Sequence, residues 1–203
     1  MTMFFGMLLA PVIGLSSGGT FSLPLQATQI LWINLLTDGA PALALGVEPA
    51  AATVMNVPPR ARDAAVVTVE MGRDILLVGM IMALGSLAVL DAALPGGLLE
   101  GTGLLAYGQT MTFTTLVMFQ MFNVFNARSE TQSAFANPFV NRWLWMAVGL
   151  SIGLQVAVVY VPFLQEAFAT VPLSGRDWLV CAAGASSVLW LRELSKLVVR
   201  HRK

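Results

Sequence analysis

The run from Gln26 to Gly46 reads QATQILWINLLTDGAPALALG and sets an amide, a hydroxyl and a carboxylate, on Asn34, Thr37 and Asp38, inside an apolar stretch. Asp38 follows Asn34 by four residues and Thr37 follows it by three, so on a helix the three share one face. All three offer oxygen. Hard cations such as Ca²⁺ take about six to eight oxygens from carboxylates, carbonyls and water, and this cluster supplies part of such a shell. At about 1.5 Å per residue, Asp38 lies roughly 18 Å along a helix from Gln26. That is near the middle of an apolar layer about 30 Å thick. A carboxylate there costs about 2.5–3.5 kcal/mol on insertion scales and calls for a partner or an aqueous cavity.

Gly39 and Pro41 follow at once. Pro41 has no N–H and crowds the preceding turn, while Gly39 accepts backbone angles that other residues avoid. Their spacing predicts local unwinding that frees backbone carbonyls beside Asp38, which membrane-depth backbone tolerates around a cavity or within protein. Two readings stay open on these residues alone. One is cation binding; the other is a polar patch that hydrogen-bonds helices together, with Gly-Ala-Pro as a kink.

The elements that must position this segment are helices in lipid. The 203 residues are 57% hydrophobic and 11% charged, with mean hydropathy +0.76, against about 25% charged in soluble domains. Eleven basic and eleven acidic residues cannot cover a water-soluble surface. Apolar stretches of spanning length occur at about 26–46, 72–93, 106–126, 142–162 and 176–196, and 1–15 reads as the second half of a further helix. The expected fold is all-α, a polytopic transmembrane bundle of about six helices with the first truncated.

Charge placement orients it. Arg60, Arg62, Arg73, Arg128, Arg142, Arg192, Lys196, Arg200, Arg202 and Lys203 fall on one side by alternation, and Arg176 on the other, which makes the first side and the C-terminus cytoplasmic. The terminal basic run reads as a topology determinant in contact with lipid headgroups. Pro58-Pro59 holds the MNVPPR connector extended. Asp74 is expected to favour a helix N-terminus and Glu193 to pair with Lys196. Asp91, Glu100, Glu166 and Asp177 are expected to meet water or headgroups, or to line a cation exit. Trp143, Trp145 and Trp178 read as interfacial anchors. Thr112, Thr114 and Thr115 read as packing or back-bonding residues, and the lone Cys181 as a buried thiol without redox or metal role. Neutral net charge carries no signal for nucleic acid.

The run PLQATQILWINLLTDGAPALALGVEP, Pro24 to Pro49, resembles the sixth transmembrane helix of calcium-type P-type ATPases, and MNVPPR resembles the loop that follows it. The resemblance extends from the latter half of that family's fifth helix through its tenth. It implies that Asn34, Thr37 and Asp38 ligate the transported cation, most plausibly Ca²⁺ rather than Na⁺, K⁺ or H⁺. FQMFNVFNARSETQSAF, Phe119 to Phe135, resembles the end of the eighth helix. There the reticulum-type pumps carry a ligating Glu where this chain has Gln120. A neutral amide still offers a carbonyl oxygen, so Gln120 joins the candidate set with a weakened outer site, and one cation per cycle is expected, as in plasma-membrane-type pumps. Asn123, one turn on, shares its face and reads as a helix–helix hydrogen-bonding residue.

The family's DKTGT phosphorylation motif, its TGES-type loop, its nucleotide-binding loop and its Pro-Glu-Gly-Leu break do not occur in these residues. ATP and Mg²⁺ are therefore expected only in a full-length protein, whose N-terminal and cytoplasmic domains would be this chain's partners, together with membrane lipid. The competing readings are a separately encoded, non-catalytic membrane subunit or passive cation binder, and a secondary transporter, against which the lack of an inverted repeat counts. Nine Arg against two Lys, with abundant Ala and Gly, suggest a GC-rich bacterial genome, and with the apolar spans the expected location is a bacterial plasma membrane. If the chain is part of a pump, reading the gene in frame upstream of Met1 will show a Glu within a few codons and a phosphorylation motif further back; an immediate stop codon would refute this.

Overall fold

A computed structural model describes residues 2–9, 15–17, 20–49, 68–96, 98, 101, 103–128 and 139–201. The expectations for Pro58-Pro59, Arg60, Arg62, Glu100, Arg202 and Lys203 lie outside them. The described chain is all-α apart from a two-residue antiparallel pairing of β1 (Ser16–Ser17) with β2 (Thr20–Phe21). Its helices are α1 (Thr2–Leu8), α2 (Ala27–Asp38), α3 (Ala40–Gly46), α4 (Val69–Ala93), α5 (Leu105–Ala127), α6 (Arg142–Tyr160), α7 (Pro162–Phe168) and α8 (Gly175–His201). Of these, α4 (from Met71) and α6 are long and apolar enough to cross a membrane.

The helix α5 is the centre of the bundle, packed by α2, α4, α6 and α8. Every residue from Gly108 to Phe119 is buried, so this helix is enclosed all round. That enclosure explains its mixed composition. Thr112 and Thr115 return their hydroxyls to the carbonyls of Gly108 and Met111, both at 2.8 Å, which removes the cost of burying them. Gln109 donates to Leu23 O at 2.7 Å. Close approach of α4 depends on Gly85, where a Cβ would lie 2.6 Å from the Phe119 ring.

The outward faces are apolar. Ile75, Leu76, Met80 and Leu84 are exposed on α4, and Trp143, Met146, Leu150 and Leu154 on α6. Inside lie Gln29, Ser86, Thr110, Thr114, Ser151 and Gln155, each at most 1% exposed. Such an arrangement inverts the pattern of a water-soluble protein.

Several side chains differ from expectation. Asp74 is in the second turn of α4, which Thr68 caps through Met71 N, and it pairs with Arg192 of α8 at 2.8 Å. Asp91 is 3% exposed and accepts from Leu98 N at 2.9 Å, so it caps the loop after α4 rather than facing headgroups. Residues 163–168, expected as connector, belong to α7, which ends where Ala169 turns left-handed at φ 49°. Glu193 and Lys196 pair as expected, at 3.7 Å, and Cys181 is buried.

The expected break falls at Gly39, between α2 and α3. A Cβ there would lie 2.8 Å from the carbonyl oxygen of Leu35, a backbone atom that cannot swing aside. Gly39→Ala will lower stability by about 1–3 kcal/mol, whereas Gly46→Ala, with nothing within 4 Å, will change it little; thermal unfolding in detergent compares the two.

Candidate functional site

The helix α2 is anchored along one face. Gln29, fully buried, accepts from Gln26 N at 3.1 Å and donates to Phe168 O at 3.0 Å. One turn on, Trp32 packs edge-on against Phe168, ring centroids 5.0 Å apart, and its indole N–H reaches Gln155 Oε1 at 3.2 Å. Ile33 and Leu36 complete the buried face. The positions 29, 32, 33 and 36 follow helical spacing, so the opposite face is turned out. Asn34 is exposed there, between Leu31 and Leu35, each 69% exposed. Thr37 and Asp38 form the end of α2 in backbone; their side chains lie outside the described residues.

Beyond the break, Pro41 occupies the first turn of α3, where a missing N–H is harmless. It therefore gives nothing to the carbonyl of Thr37, its partner in a continuous helix. Gly39 N still bonds Leu35 O at 3.2 Å, and Leu43 N bonds Gly39 O at 3.1 Å. The interruption is thus a single residue wide, at the candidate cluster.

The far end of α3 is held by a charged cluster that sequence reading did not assign. Arg128, at the end of α5, places Nη2 at 2.7 Å and Nε at 2.8 Å from Glu48 Oε1. Asn141, which caps α6 through Leu144 N at 3.1 Å, also donates to Glu48 Oε2 and, at 2.7 Å, to Ala44 O. One carboxylate thus ties α3 to α5 and α6. The signal available in the sequence was a lone Glu after an apolar run, and it does not name partners 80 and 93 residues away.

Gln120 is half-buried on α5 and lines a cavity of about 420 Å³ with Met71, Asp74, Asn123, Asn126 and Arg192. No α2 residue lines that cavity among the described residues. Asn123 therefore faces the same space as Gln120. Asn126 donates to Val188 O at 3.3 Å, while its buried Oδ1 has no partner among the described residues. The structure therefore does not bring Gln120 and Asn34 into one cavity. Nor do three His, Cys, Asp or Glu side chains converge among the described residues, so donors at α2 are an amide and backbone oxygen beside the positions of Thr37 and Asp38.

Residues 22–198 match the family model described as cation transporting ATPase, C-terminus. The chain belongs to that family. It is 40% identical over 94% of its length to calcium-transporting ATPase 1 of Schizosaccharomyces pombe, covering 21% of that protein. To the human calcium-transporting ATPase type 2C member 1 it is 38% identical over 95% of its length, covering 20% of the relative. To the calcium-transporting ATPase of Bacillus subtilis it is 37% identical over 100%, covering 21%. The chain thus spans about a fifth of the length of these relatives, and its break and polar cluster lie within the region that the family model matches.

The Glu48 cluster yields a stability test. The two side chains are 21% and 11% exposed, so removing one charge strands the other in a largely dry setting. Glu48→Gln will cost about 2–3 kcal/mol, below the full buried-pair figure because some water reaches it. Arg128→Gln made on top of it will cost less than Arg128→Gln alone, with a coupling of about 1 kcal/mol or more, measured by a double-mutant cycle on unfolding.

Proposed function

We propose that this chain is the multi-pass membrane segment of an ATP-driven divalent cation transporter, with Ca²⁺ as cargo, and that Asn34, Thr37 and Asp38 supply part of its intramembrane cation site, which Gln120, facing a separate cavity in this structure, joins when α2 and α5 shift relative to each other. The observation that carries this reading is the coincidence of a one-residue helix break with an oxygen-bearing cluster in a helix anchored only by its opposite face. A dehydrated cation needs oxygens that are fixed in place and free of other partners. The break supplies a backbone carbonyl, Asn34 an amide oxygen, and Thr37 and Asp38 a hydroxyl and a charge.

Three relatives whose names say they transport calcium are 37–40% identical to this chain over 94–100% of its length, which favours Ca²⁺ as cargo. The apolar exterior and inward polar residues support helices in lipid. The helices α2 with α3, α4, α5, α6 and α8 are the five crossings and α1 part of a sixth. The spread of Arg and Lys puts the C-terminus in the cytoplasm, and the composition together with the Bacillus relative favours a bacterial plasma membrane. ATP and Mg²⁺ act in the full-length transporter, through cytoplasmic domains outside these 203 residues. Gln120, on another helix, contributes a neutral oxygen, in keeping with one cation per cycle.

In the intact transporter, Asp38→Asn and Asn34→Ala will each weaken calcium binding on the order of tenfold or more, since a ligand charge or oxygen is lost. Membrane insertion will be unchanged. Equilibrium binding of radioactive calcium checks this, and unaltered affinity in both variants would refute the assignment.

A further inference from the structure

Cation binding at α2 makes no direct use of a buried hydrogen-bond relay that runs behind it. Trp32 Nε1 donates to Gln155 Oε1 at 3.2 Å, and Gln155 Nε2 lies 3.3 Å from Thr114 Oγ1. Gln155 and Thr114 are fully buried, so the relay passes from α2 through α6 to α5 with no water competing for it. A buried amide is costly unless both of its ends are paired. Here the pairing joins the two helices that carry the candidate ligands: Trp32 precedes Asn34 by two residues, and Thr114 precedes Gln120 by six.

The need for such a link follows from the break. An uninterrupted helix inherits its rotation from its neighbours in sequence, but α2 ends at Asp38 and α3 begins afresh at Ala40. The rotation of α2 about its axis is therefore set by contacts on its buried face. The Gln29 bond to Phe168 O fixes its first turn. The indole of Trp32 fixes the next, held by the Phe168 ring on one side and Gln155 at its N–H.

We infer that Gln155 is a positioning residue for the cation site: by bridging Trp32 and Thr114 it sets the rotation and height of α2 against α5, and so the fit of the α2 oxygens around a divalent cation. This rests on the function proposed above. Gln155 touches the cation helix through Trp32 and acts on the opposite face from Asn34. Its effect is on affinity through geometry.

The test is calcium binding by the intact transporter in lipid nanodiscs, by equilibrium dialysis with radioactive calcium, alongside thermal unfolding of the same samples. Gln155→Leu is expected to weaken calcium binding about tenfold, the effect of one lost buried hydrogen bond. Gln155→Glu, kept protonated by burial, accepts from the indole N–H through one oxygen and donates its O–H to Thr114 Oγ1 as the amide does, and is expected to stay within about threefold of the unaltered protein. Trp32→Phe keeps the ring packing but lacks the donor, so it is expected to match Gln155→Leu, and combining the two should add little further loss. A Gln155→Leu chain that unfolds more easily yet binds calcium as tightly as before would overturn the inference and leave the cation site standing. Unchanged affinity in Trp32→Phe would overturn it in the same way, even if Gln155→Leu failed to fold. If Asp38→Asn and Asn34→Ala both leave the calcium affinity of the intact transporter unchanged, the cation reading of α2 fails first and the positioning role fails with it.

Discussion

Inside an apolar environment every polar group must find its partner within the protein, and the rest of this structure follows from that constraint. A helix satisfies its own backbone, so eight helices account for most of the described residues. Wherever the backbone departs from a helix, something nearby answers for it. Asp91 takes the N–H of Leu98 after α4, Thr110 takes that of Val171 before α8, and Thr170 returns its hydroxyl to Val158 O. At the break Pro41 withholds the N–H that a continuous helix would give to the Thr37 carbonyl.

The same constraint shapes α5. A helix that faced lipid could not carry Gln109, Thr110, Thr112, Thr114, Thr115, Gln120, Asn123 and Asn126 without large cost. Enclosed by four neighbours, it returns three hydroxyls to its own turns, and Gln109 and Asn126 donate to other segments. This explains why α4 and α6, which present Leu, Met and Trp outward, meet a length-and-hydropathy criterion for crossing a membrane. Hydropathy reads what a helix shows to lipid, and α5 shows it little. A central helix in a bundle can be polar in proportion to how well it is covered.

The sequence carried the parts of this that are local. The Asn34, Thr37, Asp38 spacing and the Gly39-Ala40-Pro41 interruption needed only helix geometry and the covalent chemistry of Gly and Pro, and the break is where those predict. The back-bonding of Thr112 and Thr115, the Glu193–Lys196 pair and the helix bounds of α5 and α8 were legible for the same reason. What stayed hidden depends on partners distant in the chain. Glu48 was silent until α5 and α6 delivered Arg128 and Asn141 to it. Asp74 looked like a helix-end anion until α8 brought Arg192 beside it. Gln155 sits in LSIGLQVAVVY as one amide among apolar residues, and only the packing of α2 against α6 turns it into a bridge. Asp91 misled because proximity to a span end predicts exposure, whereas its loop folds back over it.

The two halves of the broken helix are held by different chemistry, and the difference bears on what the break can do. Neutral hydrogen bonds and ring packing secure α2, through Gln29, Trp32 and Gln155. A charge-assisted cluster at Glu48 secures α3, and such bonds are shorter and roughly twice as strong. Displacement at Gly39 is therefore unequal. On the proposed reading α3 is the more firmly held member, and α2, with neutral ties on one face and an exposed opposite face, the less firmly held. A cation held jointly by oxygens on α2 and on a neighbouring helix would resist a turn of α2, because rotating α2 would move one set of ligands against the other. On the proposed reading, occupancy of the site and rotation of α2 are one equilibrium, and a residue that sets the rotation sets the affinity as well.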